Sequence, residues 1–179
     1  PAGGGLMELA RRVITPATEH KEGAPLPATS RIFETVAMAQ VSTSAAEARE
    51  KGFLTAHDRI VMHRDSLLAE ARQEVQNLVA DGYRPAPQGQ IYAGGRDLLA
   101  ALHVAVWSLQ QSGWASEHDG LIAKEAAHIL TGGDGSSPDR MSEEHFLRLE
   151  REAFVRLLRT EKTQARIRHM LETGKPLRY

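Results

Sequence analysis

Apolar positions recur along this chain mostly at the three- and four-residue spacing of helices that face a core on one side. Leu6, Leu9, Ala10 and Val13 share a face over residues 6–14. Thr15-Pro16 predicts the end of that helix, because the residue before proline is pushed out of helical geometry. Residues 17–29 hold Gly23, Pro25 and Pro27 among polar neighbours and read as a surface loop. Ser30 can cap a helix over 31–39, whose apolar set is Ile32, Phe33, Val36, Ala37 and Met38. The clearest amphipathic pattern runs from 66 to 81: Leu67, Leu68, Ala71, Val75, Leu78 and Val79 share a face, Glu70, Gln73, Glu74 and Gln76 lie off it, and Gly82 ends it.

Four more segments continue the helical pattern. Residues 97–111 carry Leu98, Leu102, Ala105, Val106 and Leu109, and Val104 and Trp107 widen the apolar surface. That breadth predicts a central helix covered on more than one side. Ser116 caps a helix through Leu130, with Leu121, Ile122, Ala126 and Ile129 inward. Ser142 opens the next, where Glu143 and Glu144 suit the positive end of the helix dipole; Phe146, Leu149, Ala153, Phe154, Leu157 and Leu158 form its buried side. A last helix over 160–173 buries Ile167, Met170 and Leu171 and stops at Gly174. Residues 83–95 hold two prolines and three glycines and predict a linker or extended arm, with Ile91-Tyr92 as its one β-like pair. Residues 131–140, TGGDGSSPDR, predict a loop. The sum is a mainly α chain of about seven or eight helices with very little strand.

Residues 40–65 concentrate local signals. Ser44 with Glu47 can form a capping box, residues 45–51 are good helix formers, and Gly52 suits the left-handed position after a helix. Arg59-Ile60-Val61-Met62 is a short extended candidate, and Asp65 or Ser66 can cap the long helix that follows. Nothing in this connector forms a catalytic constellation.

The length of 179 residues allows one domain with a real core. A net charge of -1 gives no global electrostatic case for nucleic acid or an anionic membrane. Without cysteine, disulfides, thiolate metal sites, iron–sulfur clusters and a cysteine nucleophile are excluded, which is compatible with a reducing cytoplasm. No apolar run approaches the roughly 20 residues of a membrane span. The chain opens Pro-Ala-Gly-Gly-Gly without methionine, which reads either as a trimmed or tagged end or as the later part of a longer chain.

Eight histidines raise the question of metal or acid–base chemistry. His57-Asp58 and His118-Asp119 are sequence neighbours, which do not face each other on a helix. His57 and His63 have no metal-ligand spacing, and His103 and His128 lie within helices among apolar residues. All read as surface or capped core histidines, and no HExxH or phosphate-loop motif is present. Gly3-Gly4-Gly5 before a helix can present backbone N–H groups to an anion or oxyanion. The basic residues Arg148, Arg151, Arg156, Arg159, Lys162, Arg166 and Arg168 alternate with glutamates, which suits a solvated face or a contact with another chain.

Three stretches together resemble the enoyl-CoA hydratase/isomerase (crotonase) superfamily, and more narrowly the C-terminal part of bacterial 3-hydroxyacyl-CoA dehydrogenases fused to a hydratase-like domain. Pro1-Ala2-Gly3-Gly4-Gly5 is similar to the proline–glycine turn that opens a helix beside the hydratase site. Residues 42–54, STSAAEAREKGFL, are similar to the superfamily segment S-A-x-E-A-x-x-x-G-L-V, with 58–62 in place of its following short strand. LTGGD (130–134), LEREAF (149–154) and TEKTQARIRHMLETGKPLR (160–178) resemble the tail of the fused subfamily.

The resemblance implies the C-terminal helical portion of a crotonase-like α/β fold plus an extended helical tail. Residues 1–82 would be the end of the crotonase-like domain, 83–95 a linker and 96–179 a helical extension. The acyl-CoA site, the oxyanion hole, the two hydratase carboxylates and the NAD site would all lie upstream. No side chain of the segment would then be a catalytic acid or base. The backbone N–H of Ala2 or Gly3 would help position the attacking water or the thioester, with Ala2 standing where hydratases commonly have glycine. NAD and acyl-CoA would serve the parent enzyme, with no cofactor or metal for the segment itself. Its partners would be the N-terminal remainder of the parent chain, acyl-CoA and further copies in a homo-oligomer, in the cytoplasm, without nucleic acid or an integral membrane segment. A free-standing, non-catalytic helical interaction module is the other reading the local signals fit.

Overall fold

The computed structural model describes residues 3–19, 24–85 and 87–177. Helices dominate, as the periodicity predicts: α1 (Gly5–Leu9), α2 (Thr15–Ala17), α3 (Pro25–Ala37), α4 (Ala45–Glu50), α5 (Leu67–Ala80), α6 (Gly95–Gln111), α7 (Glu117–Leu130), α8 (Glu143–Leu158) and α9 (Glu161–Thr173). One antiparallel pair of strands, β1 (Gln90–Ala93) and β2 (Asp139–Ser142), joins them.

The first helical run passes through Pro16 instead of stopping before it. Between α1 and α2 the backbone opens into a π-helical turn over Ala10–Ile14, and the Thr15 N–H donates five residues back, to Ala10 O. A proline has no N–H and its ring clashes with the carbonyl four residues earlier; a widened turn just before it removes the clash. The turn also changes which residue faces the core. Ordinary helical spacing selects Val13, but the extra residue brings Ile14 inward, where it is fully buried, and leaves Val13 half-buried.

Helix α3 starts at Pro25, six positions before the expected start at 31, so Ser30 lies inside it rather than capping it. Pro25 and Pro27 sit in the first turn, where backbone donors have no intrahelical partner and the fixed φ of proline suits the helix. The helix ends with Ala39 in the left-handed region (φ 50) and the Gln40 N–H donating to Thr35 O at 2.9 Å. This is the usual glycine arrangement, made here with alanine.

By Cα packing the chain forms two compact units: residues up to Val41 with those from Gly89 onward, and Ser42–Gln88. The divisions expected at 82 and 95 concern descent, whereas these concern compactness.

In the larger unit α7 is the central helix, packed by α1, α3, α6 and α8. Its inward side holds Gly120, Ala123, Ala126 and Ala127, small residues that let neighbouring helices approach, with Ile129 and Leu130 fully buried. Helix α6 is therefore not the centre expected from its breadth: it buries Leu98, Leu102 and Val106, while Val104 and Trp107 are exposed. Likewise Leu121 of α7 is exposed rather than inward, and Ile167, Met170 and Leu171 of α9 are exposed. Helix α8 buries Phe146, Leu149, Ala153 and Leu157 as expected. Ile91, in the predicted β-like pair, faces Met141 across the sheet and is fully buried.

The smaller unit is built by local polar bonds. The Ser44 hydroxyl accepts from the Glu47 N–H at 3.1 Å, and the Glu47 carboxylate reaches back to the Thr43 N–H and hydroxyl, so the expected box closes one residue earlier than drawn. Gly52 takes the left-handed position (φ 82) with Phe53 N–H donating to Ala48 O. Residues 59–62 form no strand: among the described residues of the unit there is no other strand to pair with, and Arg59 instead bridges to Glu70 and Glu74 of α5. Helix α5 has its predicted span, yet none of its residues is buried; Leu68 and Val79 are 83% and 74% exposed, and Met62 before it 93%.

Candidate functional site

Glycine at position 4 has φ 93, a left-handed conformation that admits the sharp entry into α1. A Cβ there would lie 3.0 Å from Leu147 Cδ2 of α8, a side-chain tip that can shift, so the demand for glycine comes from the backbone conformation. Its amide points inward: Gly4 N–H donates to Glu150 Oε2 at 2.9 Å, and Met7 N–H donates to Glu150 Oε1 at 2.7 Å. Glu150 is fully buried. Helix starts favour negative charge because their first N–H groups are unpaired and the dipole is positive there. Two N–H groups of the glycine turn and of the first helical turn are thus taken by the Glu150 carboxyl group of this chain's own α8.

Of the two backbone donors expected at the site, Ala2 lies outside the described residues. Gly3 is exposed, with open space where a Cβ would be. Glu150 was missed by sequence reasoning, although a signal exists. It lies four residues after Phe146 and three before Ala153, on the inward stripe of α8, where an unpartnered carboxylate would be prohibitively costly. A glutamate on an apolar stripe demands donors, and the glycine turn supplies them.

A second feature is a cavity of about 290 Å³ between the C-terminal end of α3, α6, α7 and α9. Met38, Val106, Leu109 and Met170 give it apolar walls, and Arg166 Nη1 pairs with Asp119 Oδ1 at 2.7 Å on its lining. Asp119 also closes the α7 capping box, accepting from the Ser116 N–H and hydroxyl. Desolvation raises the Asp119 pKa most, but the hydrogen bonds from Ser116 and Arg166 together outweigh it and hold the group below its ordinary range.

Three histidines make contacts within the fold. His118 is buried and its Nε2 lies 3.0 Å from Thr163 Oγ1, tying α7 to α9. His145 Nε2 lies 2.9 Å from Gly132 O. His128 stands 3.6 Å from Asp134, and Arg156 makes a two-pronged bond to Glu125 at 3.0 and 2.7 Å. Among the described residues no group of three or more histidine, aspartate or glutamate side chains could hold a metal ion, and no helix is long and apolar enough to cross a membrane.

Burial, then the positive charges of Arg166 and Lys162, depress the His118 pKa below 6.5, against the weaker pull of Asp119 and Glu117. A histidine depressed on folding adds stability that is fully present above the unfolded value of 6.5 and is lost as pH falls through the folded value. The chain is therefore expected to lose stability as pH drops below about 6.5, and His118→Gln to flatten that loss in denaturation curves taken across pH 5–8. The flattening is partial, because burial, Lys124 and His128 depress His103 in the same direction. An unchanged slope in His118→Gln would count against a buried neutral ring.

The chain is 40% identical over 178 residues, 99% of its length, to a protein of Bacillus subtilis (strain 168) described as "Probable 3-hydroxyacyl-CoA dehydrogenase". It spans only 22% of that relative's length. No protein-family model and no solved structure matches it.

Proposed function

We propose that these residues are the C-terminal segment of a fatty-acid β-oxidation enzyme that couples enoyl-CoA hydratase and NAD-dependent 3-hydroxyacyl-CoA dehydrogenase activities. The observation that carries the reading is the 40% identity along nearly the whole chain to a relative more than four times as long. In the first reaction water adds across the double bond of a 2-enoyl-CoA, oxygen to C3 and a proton to C2. Backbone donors lower the barrier by stabilising the thioester enolate, and carboxylates move the protons. In the second, the 3-hydroxyl carbon gives a hydride to NAD and its hydroxyl a proton to a base, yielding the 3-ketoacyl-CoA.

The segment's own part is to close the acyl-CoA pocket with the glycine turn and to make domain or subunit contacts. Its catalytic carboxylates, NAD site and oxyanion hole belong to the remainder of the parent, a cytoplasmic homo-oligomer. The apolar face of α5 supports the contact role: Leu67, Leu68, Val75 and Val79 are each more than half exposed, and burying each such side chain is worth about 1.5–3 kcal/mol.

The test is enzymatic. The full-length parent is expected to hydrate 2-enoyl-CoA and to reduce NAD with 3-hydroxyacyl-CoA, and the isolated 179 residues to do neither. Absence of both reactions in the parent would favour a non-catalytic interaction module, and turnover by the isolated chain would overturn the division of labour.

A further inference from the structure

Helix α9 stands off the helices it faces. None of its residues is buried. It meets α7 through two polar contacts, Thr163 with His118 at 3.0 Å and Arg166 with Asp119 at 2.7 Å. These contacts fix how near α9 comes. The surface opposite carries Ala37, Ala115 and Ala123, whose side chains are too short to reach across. The cavity of about 290 Å³ is the space that remains. Folded interiors leave few voids larger than a water molecule, and an empty one forfeits the dispersion contacts of its lining.

The chemistry of the walls limits what the space accepts. Asp119 and Arg166, the charged groups on the lining, are each other's partners, so the walls offer an ionised ligand no net charge. The other residues on the lining are apolar, and water there would find few partners. Trp114, also on the lining, is 73% exposed although its backbone is held in place. Gly113 before it takes φ 75, and the Trp114 N–H donates to Leu109 O at 3.0 Å. A bound molecule would cover indole surface that the fold leaves in water. An apolar cavity of about 150 Å³ takes one benzene ring, so this one has room for roughly two rings or a chain of about eight carbons.

We propose that the cavity between α3, α6, α7 and α9 is a binding site for an uncharged apolar small molecule of that size, an alkyl or aryl group with at most one neutral polar end. The site is separate from the glycine turn, none of whose described residues lines it. It does not rest on the reactions proposed above.

The experiment uses the full-length parent, with octan-1-ol as the probe and octanoate as its ionised counterpart, and reads binding by calorimetry. Octan-1-ol is expected to bind. Octanoate is expected to bind about tenfold or more weakly at neutral pH, because its carboxylate must leave water beside a pair that is already neutral. Ala37→Leu fills part of the space and is expected to weaken octan-1-ol by about tenfold or more. Ala115→Leu, on a different wall, reads the same effect should Ala37→Leu fail to fold. Asp119→Asn keeps an acceptor for the Ser116 hydroxyl but leaves the lining with a net positive charge, so octanoate should gain severalfold on octan-1-ol. A parent that binds no octan-1-ol, leucine variants that bind it as tightly as wild type, or octanoate bound as tightly as octan-1-ol would each overturn the inference. Absence of the proposed reactions would overturn that reading and leave this one standing.

Discussion

Gly95→Ala is expected to lower the stability of this chain by on the order of 3 kcal/mol or more. The glycine has φ 68, and an added Cβ would stand 2.6 Å from the Ser137 carbonyl carbon and 2.8 Å from its oxygen. The left-handed conformation alone costs an alanine about 1–2 kcal/mol. The clash adds to that because it is with backbone, which cannot rotate aside as a side-chain tip can. Gly95 is also where three segments meet: it opens α6, its N–H donates to Thr131 O just beyond α7 at 3.1 Å, and it touches the approach to β2. Gly113→Ala separates the two contributions, since Gly113 has φ 75 and open space around its Cβ position. It should cost only the conformational part, about 1–2 kcal/mol. Urea denaturation of the two variants measures the difference, and equal midpoints would mean that Ser137 is not in close contact.

The second large effect is expected from Glu150→Ala. Truncation of this fully buried side chain removes the acceptor of two backbone donors, the buried Gly4 N–H and the part-buried Met7 N–H. A buried donor left without a partner costs about 1–3 kcal/mol, and the vacated volume adds to this, so the total should be on the order of 3–5 kcal/mol. The loss should be local in origin. Amide hydrogen exchange is expected to quicken first at Gly4 through Glu8, whose own N–H closes on Gly4 O at 2.9 Å, before α7 is affected. Uniform acceleration over both α1 and α7 would show that the carboxylate supports the whole core instead of the turn.

Signals confined to a few adjacent residues were readable in the sequence. Ser44, Ser116 and Ser142 each accept from the N–H three positions on, and Gly52 and Gly174 take the left-handed conformation at helix ends. The features that were not readable depend on what lies opposite. The breadth of apolar surface on α6 suggested a central position, but α7, with its alanines and Gly120, allows closer approach and holds the centre. β2 is Asp-Arg-Met-Ser, without a strand-forming pattern, and exists because it pairs with β1. The apolar stripe on α5 is a stripe as read, and it stands exposed, since periodicity states which residues share a face and not whether anything covers it. At the candidate site the glycines were visible and their partner was not: Glu150 lies 146 positions from Gly4, and only the folded chain brings the two together.

The widened turn before Pro16 has an effect beyond its own helix. It rotates Thr15 inward along with Ile14, and the Thr15 hydroxyl accepts from the Tyr92 N–H at 3.0 Å. Tyr92 lies in the middle of β1, and a peptide group of an edge strand that is not used by its neighbour is an invitation to a strand from another molecule. Here a threonine hydroxyl takes that place on the β1 edge. Deleting one residue from Ala10–Ile14 would restore ordinary helical winding, turn the hydroxyl away and expose the Tyr92 N–H, read as faster hydrogen exchange at that amide.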